Sequence, residues 1–131
     1  MDSKTKQKII QACRKISRWN PARQNVKKAC KLDKALFQCS KCGNLCYEGK
    51  SSKTFKEYQA KYAPLEVRQE FLDIDHISTV VPLTGWDSWD GFIERLFCGE
   101  ENLRGLCSTV CHAKKTKAEK SIRLANKYGK K

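Results

Sequence analysis

Four of the eight cysteines in this chain stand in two closely spaced pairs. Cys39 and Cys42 are separated by two residues, and Cys107 and Cys111 are separated by three. Zn(II) prefers four thiolate or imidazole ligands in a tetrahedron, and two tight turns from distant segments supply that geometry. The spacing therefore predicts a structural zinc site made of these four side chains, which would hold together the ends of a small hydrophobic core.

The remaining cysteines give different expectations. Cys13, Cys30, Cys98 and also Cys46 are expected to be buried small apolar residues, although Cys46 is spaced for ligation with Cys42 and is an alternative zinc ligand. The opening residues MDSKTKQKII lack the apolar core of a secretory signal. We therefore expect a cytoplasmic, reducing location, in which a metal site explains eight cysteines better than four disulfides do.

Both histidines lie in chemically crowded positions. Asp75 directly precedes His76, and His112 directly follows a predicted zinc ligand. An isolated Asp-His pair is weak evidence, because a histidine on a strand is more often a structural group. The order of the short motifs along the chain is more specific: Asp75-His76-Ile77, Asn102-Leu103, Leu106-Cys107, Cys111-His112 and Lys115-Thr116.

The charge balance indicates a polyanionic partner. Lys and Arg number 27 against 14 Asp and Glu, a formal net charge of +13. Such an excess increases the self-repulsion of the folded state, so it favours a role in nucleic-acid binding over a role in solubility alone. No stretch approaches the roughly 20 apolar residues of a membrane span, so no membrane insertion is expected, and a basic arm on anionic lipid is the alternative.

The hydrophobic pattern predicts an α+β chain in which basic helices flank these motifs. The predicted elements are a helix over 4–19, a second helix from Asn20-Pro21 to about Lys31, a strand at 36–39, an inserted helix at about 51–70, a strand at 71–78, a core helix that Asp87 would cap, a strand or turn at 103–107, and a helix from Cys111 to about Tyr128. The predicted division is a basic helical arm (1–35), a core (36–117) with an insertion at about 48–70, and a basic C-terminal helix and tail (118–131).

Taken together, these segments resemble the HNH endonuclease family, and within it the small phage-type, homing-endonuclease-like nucleases with a four-cysteine zinc site. The matching segments are FQCSKCG (37–43), Asp75-His76-Ile77, WDGFIERLFC (89–98) and residues 102–116, with WNPAR (19–23) similar to the leader of that group. The second cysteine pair is one residue wider than the family's usual two. The insertion at 48–70 is a further departure, and it is a candidate DNA or partner contact.

The resemblance implies a ββα-metal core and assigns roles to four residues. Asp75 and His112 would bind the catalytic ion, Mg(II) or another divalent ion such as Mn(II) or Ni(II). His76 would be the general base, and Asn102 would hold His76 by hydrogen-bonding the loop backbone. The implied function is hydrolysis of phosphodiester bonds in double-stranded DNA, by nicking or double-strand cleavage, in a bacterial host cell if a phage encodes the chain.

The chemistry of these residue types agrees with that assignment. A neutral imidazole, with an ordinary pKa near ~6.5, can accept a proton at neutral pH. One carboxylate and one imidazole leave several positions of an ion open for water and phosphate oxygen. The basic helices supply the candidate phosphate contacts, which are Arg14, Arg18, Arg23, Lys114, Lys115, Lys117, Lys120 and Arg123.

Two other functions compete with this interpretation. A non-catalytic zinc-ribbon DNA-binding protein explains the charge and the cysteines, but it leaves both histidines without a role. A zinc nucleobase deaminase needs a His-x-Glu motif, and Ser78 and Lys114 occupy the corresponding positions after the two histidines. The sequence leaves the choice between a monomer and a homodimer open.

Overall fold

Two basic helices begin the chain. Helix α1 spans Ser3–Ser17 and α2 spans Pro21–Cys30. Asn20 caps α2, because its side-chain oxygen accepts a hydrogen bond from the N–H of Ala22 at 3.2 Å. Its amide nitrogen also donates to the carbonyl of Cys98 at 3.0 Å. The turn between the helices is thus fixed to a segment 78 residues away.

The computed structural model describes residues 1–129, so residues 130 and 131 of the predicted C-terminal tail lie outside it. A four-stranded sheet follows α2 in the order β1-β2-β3-β4. Its strands are β1 (Lys31–Asp33), β2 (Leu36–Gln38), β3 (Leu45–Tyr47) and β4 (Val67–Arg68), with helix α3 (Ser52–Tyr62) between β3 and β4. β1, β2 and β3 pair antiparallel, and β4 pairs parallel with β3.

The inserted segment differs from its predicted form. The helix ends at Tyr62 rather than near residue 70, because Pro64 cannot continue it. The chain then returns to the sheet as β4. Val67 and Tyr58 of this segment are buried with Leu36, Leu45 and Tyr47, so the insertion is part of a hydrophobic core.

A second, two-stranded sheet carries the histidine motifs. Strands β5 (Leu72–His76) and β6 (Leu103–Cys107) pair antiparallel, with Asp73 opposite Leu106 and Asp75 opposite Arg104. Between them lie helix α4 (Trp89–Leu96) and a short 3₁₀ turn (Glu100–Asn102). A single π-helical turn (Ser108–His112) then leads into helix α5 (Ala113–Gly129). The order from Leu72 onward is therefore strand, helix, 3₁₀ turn, strand, π-helical turn and helix.

Helix α4 contributes to a separate cluster of buried residues. Phe92 and Leu96 are buried with Ile10 of α1 and Val80. The helix is capped by Ser88, whose hydroxyl accepts a hydrogen bond from the N–H of Gly91 at 3.0 Å, and not by Asp87 as the sequence predicted. Asp87 instead pairs with Arg95 at 2.6 Å.

Glycine at position 105 allows α2 to pack closely on β6. A Cβ atom there would lie 2.7 Å from Cδ2 of Leu72 and 2.9 Å from Sγ of Cys30. Cys30 thus packs against the core, but Cys30, Cys13 and Cys98 are only partly buried, so the prediction that these three are buried was wrong. Helix α5 runs unbroken through the predicted boundary at residue 117. Among residues 1–129, no helix is both long enough and apolar enough to cross a bilayer.

Candidate functional site

The four predicted cysteines come together. The Sγ atoms of Cys39, Cys42, Cys107 and Cys111 all lie within 4.8 Å of one another, and those of Cys42 and Cys107 are 3.9 Å apart. Tetrahedral Zn(II) with bonds of about 2.3 Å places its sulfur ligands about 3.8 Å apart. The spacing and the donor set therefore fit a metal ion such as zinc.

The first pair lies on a tight turn that is tied to β6. Gly43 has a φ of +77°, which glycine adopts without strain, and its N–H donates to the carbonyl of Cys39 at 3.0 Å. The N–H and the hydroxyl of Ser40 both donate to the carbonyl of Gly105, at 3.0 and 2.7 Å. These bonds bring the first pair to the strand that ends in the second pair.

The second pair spans the π-helical turn. The side chain of Cys107 accepts a hydrogen bond from the N–H of Cys111 at 3.3 Å. A π-helical turn holds one residue more than an α-helical turn. The wider spacing of this pair is accommodated in that way, and His112 follows at the start of α5.

The thiols of this cluster differ in acidity. Burial acts to raise the pKa of Cys39, but hydrogen bonds from the backbone of Cys42, Cys107 and Lys41 outweigh it and lower the pKa to about 6. Burial and hydrogen bonding to Cys107 raise the pKa of Cys111 to about 12. One thiol of the cluster therefore ionises far more readily than another, and a bound cation would stabilise the thiolate form of all four.

Cys46 lies outside this cluster of four. It is fully buried, and its thiol donates to Oε1 of Glu70 at 3.8 Å. Burial, with the nearby carboxylate of Glu70, raises the pKa of Cys46 far above its usual range. In the structure, therefore, Cys46 is not one of the four thiols that could bind a metal ion. All eight cysteines are free thiols.

His112 lies between two carboxylates of β5. Its Nδ1 is 2.8 Å from Oδ2 of Asp73, and its Nε2 is 3.8 Å from Oδ1 of Asp75. Oxygen and nitrogen ligands of one divalent ion lie about 3 Å apart at a right angle and about 4.2 Å apart when opposite, for bonds of about 2.1 Å. The separation of Asp75 and His112 therefore fits a shared ion. Carboxylate–histidine pairs of the kind formed by Asp73 commonly orient metal-binding imidazoles.

The ring of His76 is held by a backbone carbonyl. Its Nε2 lies 3.2 Å from the oxygen of Leu96, which requires a proton on Nε2 and leaves Nδ1 as the acceptor in a neutral ring. Burial lowers the pKa of His76, and the charges of Arg23 and Arg14 act in the same direction. The ring is therefore neutral at pH 7 and has one free acceptor nitrogen.

Asn102 contacts the loop that follows His76. Its Oδ1 accepts a hydrogen bond from the N–H of Ser78 at 2.8 Å, and its Nδ2 donates to the carbonyl of Ser78 at 3.4 Å. Its own carbonyl accepts from the N–H of Ile77 at 2.8 Å. These are the loop-backbone bonds that the resemblance implies, and the structure adds the Leu96 carbonyl as the direct partner of the His76 ring.

Lys115 departs from its predicted place on a DNA-binding surface. Its ammonium group donates to Oδ2 of Asp75 and to the carbonyl of His76, and it lies 3.2 Å from Oε1 of Glu119. The side chains of Lys115 and Asp75 are only 15% and 16% exposed. Lys115 is therefore part of the site itself, where its positive charge pairs with the carboxylates of Asp75 and Glu119.

Arginines from the first two helices line the open side of this site. A pocket of about 250 Å³ is bounded by Arg14, Arg18 and Arg23 together with Asp75, His76 and His112, among others. Arg23 is anchored there by a hydrogen bond from Nη2 to the carbonyl of Ile74 at 3.0 Å. Arg14 and Arg18 are exposed, so their guanidinium groups are accessible to an anion in the pocket.

The predicted contacts on α5 fall into two groups. Lys114, Lys117 and Lys120 are exposed. Arg123 instead donates to the carbonyls of Val81 and Pro82, at 2.7 and 3.1 Å, so its guanidinium holds the loop before α4. The three lysines are thus accessible on the surface of α5, whereas the guanidinium of Arg123 makes a structural contact.

Sequence reasoning missed three residues of these sites. Asp73 and Asp75 are two residues apart on β5, so their side chains share one face of the strand, and that spacing is the sequence signal for the role of Asp73 beside His112. Arg68 and Glu70, which lie next to the thiol cluster, had no such signal, because only the pairing of β4 with β3 brings them there.

Comparisons with known proteins add no assignment. No family model, curated protein or solved structure matches this chain. The arguments for function therefore depend on the residues and their geometry.

Proposed function

We propose that this chain is a metal-dependent DNA endonuclease of the HNH type, with a structural zinc ion at the four cysteines and a catalytic divalent ion at Asp75 and His112. The observation that carries the proposal is the 3.8 Å separation between Nε2 of His112 and Oδ1 of Asp75, beside a neutral His76 in a pocket lined by arginines. A purely structural protein has no need to place two imidazoles and a carboxylate on one basic pocket.

The residues of the pocket have separate roles in the proposed hydrolysis. Nδ1 of His76 accepts a proton from water as the water oxygen bonds to phosphorus, while the bond from phosphorus to the leaving oxygen breaks. The carbonyl of Leu96 keeps the ring in the tautomer this requires. A divalent ion, when bound, neutralises charge on the phosphate and on the leaving oxygen.

The cations of the pocket bind and orient the substrate. Arg14 and Arg18 are exposed beside His76 and can pair with phosphate oxygens through several N–H donors. Asp73 fixes the ring of His112 through its 2.8 Å contact with Nδ1, which leaves Nε2 for the ion. The net charge of +13 favours double-stranded DNA as the substrate.

One contact favours a second candidate function, a non-catalytic zinc-ribbon DNA-binding protein. The ammonium group of Lys115 already neutralises Oδ2 of Asp75. In a protein that only binds DNA, this ion pair would be a permanent structural element, and no divalent ion would be required at Asp75.

A plasmid assay separates the two candidates. Supercoiled DNA is incubated with the zinc-loaded protein, with and without added Mg(II) or Mn(II), and the variants His76→Ala and Glu57→Ala are compared. Nicked or linear product is expected from the wild type and from the exposed control Glu57→Ala, only with added ion, while His76→Ala binds DNA but does not cut it. A wild type that binds DNA and cuts none with either ion would support the binder.

A further inference from the structure

The inserted segment at 48–70 touches the thiol cluster through one side chain. Nη2 of Arg68 lies 3.3 Å from Sγ of Cys107. The cation reaches this position because β4 pairs in parallel with β3, with Arg68 opposite Cys46. No other Arg or Lys side chain within residues 1–129 donates a hydrogen bond to one of the four Sγ atoms.

A chain of hydrogen bonds fixes the guanidinium of Arg68. Its Nε donates to Oε2 of Glu70 at 3.1 Å, and the hydroxyl of Thr109 donates to the same oxygen at 2.6 Å. Thr109 lies in the π-helical turn between the last two thiol ligands. The side chains of Glu70 and Arg68 are 5% and 23% exposed, so their ion pair is partly shielded from screening by salt, while Thr109 is exposed.

The charge of the cluster explains why such a cation is useful. Four thiolates carry more negative charge than Zn(II) can balance. A guanidinium that donates to one sulfur stabilises the thiolate form, and partners of this kind around metal ligands commonly control affinity.

From these contacts we infer that Arg68, held by Glu70 and Thr109, is a positioning residue that retains the metal ion at the four cysteines. The inserted segment then acts on the zinc site, where the sequence had suggested an additional DNA or partner contact. The inference goes beyond the proposed nuclease function, because it concerns metal retention and holds whether or not the chain cleaves DNA.

Zinc release to an excess of a coloured chelator tests the inference. Full-length zinc-loaded wild type is compared with Arg68→Gln and Thr109→Val. The control is Lys61→Gln, an exposed cation of the same insertion that pairs with Asp33 at 3.8 Å. Release from Arg68→Gln is expected to be about 10-fold faster or more, release from Thr109→Val about 3-fold faster, and release from the control unchanged.

A pH titration of metal content separates charge from packing. Without the guanidinium, the thiolates gain protons more easily, so Arg68→Gln is expected to lose zinc at a higher pH than the wild type, while Lys61→Gln follows the wild type. If Arg68→Gln does not fold, the zinc-release rate of the Thr109→Val variant, which changes an exposed residue, tests the inference instead. Wild-type release rates in the folded variants, or equal acceleration in the control, would overturn the inference.

Discussion

Lys115 donates hydrogen bonds to Oδ2 of Asp75 and to the carbonyl of His76, so one ammonium group contacts both residues of the Asp-His motif. It also lies 3.2 Å from Oε1 of Glu119. This amine supplies positive charge to the carboxylates of Asp75 and Glu119.

Replacement of Lys115 by Met is expected to destabilise the protein and to increase its response to metal. Two carboxylates that are 16% and 24% exposed lose their cation, a change that costs less than the roughly 3–5 kcal/mol of a fully buried pair. A divalent ion can restore the lost charge, so Mg(II) should raise the Tm of Lys115→Met more than that of the wild type. Thermal unfolding with and without Mg(II) measures this, with the exposed Lys117→Met as control. Equal metal-induced shifts in all three proteins would contradict the role given to Lys115.

Replacement of Asp73 by Asn is expected to weaken metal binding at His112. The 2.8 Å contact that orients the imidazole is lost as a charged interaction, and changes of this kind reduce metal affinity or activity by about 10- to 100-fold. Titration of the zinc-loaded protein with Mn(II), followed by electron paramagnetic resonance, gives the affinity. The exposed Asp90→Asn variant should bind Mn(II) as the wild type does. An unchanged affinity in Asp73→Asn would show that Asp73 does not orient His112.

Metal binding should depend on the four cysteines of the cluster and not on Cys46. Cys111→Ser should lose the bound zinc and lower the Tm by at least about 10 °C, because folding of such small sites is coupled to metal binding. Cys46→Ser should retain one equivalent of zinc, since Cys46 lies outside the cluster. Elemental analysis and thermal unfolding give both quantities. Loss of zinc from Cys46→Ser with retention in Cys111→Ser would reverse the assignment of ligands.

DNA binding should depend steeply on salt and on the arginines of the pocket. Each phosphate contact that is removed reduces the slope of log affinity against log salt by about one. Arg18→Ala is therefore expected to bind more weakly and with a smaller slope, while Lys53→Ala on α3 should match the wild type. Fluorescence anisotropy with a labelled duplex at several salt concentrations measures both. A slope that Arg18→Ala leaves unchanged would remove this residue from the interface.

The sequence predicted the elements that local patterns define. Asn20-Pro21 marks the start of α2, the apolar stripe of α4 supplies Phe92 and Leu96 to the core, and the cysteine spacing identifies the thiol cluster. These features depend on spacing and on caps, which a sequence displays directly.

The parts that were wrong or missed depend on contacts between distant segments. Strand β4 forms only because β3 offers it an edge, and Lys115 leaves the surface only because Asp75 and Glu119 converge on it. The cap of α4 is a local exception: Ser88 is the cap, and Asp87 pairs with Arg95 of the same helix. The sequence pattern did not show which of these two neighbouring polar residues would be the cap.

Cys111 and His112 are consecutive in the chain, so a single peptide joins the thiol cluster to the imidazole that faces Asp75. In the proposed nuclease, a newly made chain would stay harmless to DNA until zinc had been loaded, because His112 would have no fixed position before then. For the same reason, oxidants that attack the cysteines would switch the enzyme off without touching the residues that perform hydrolysis.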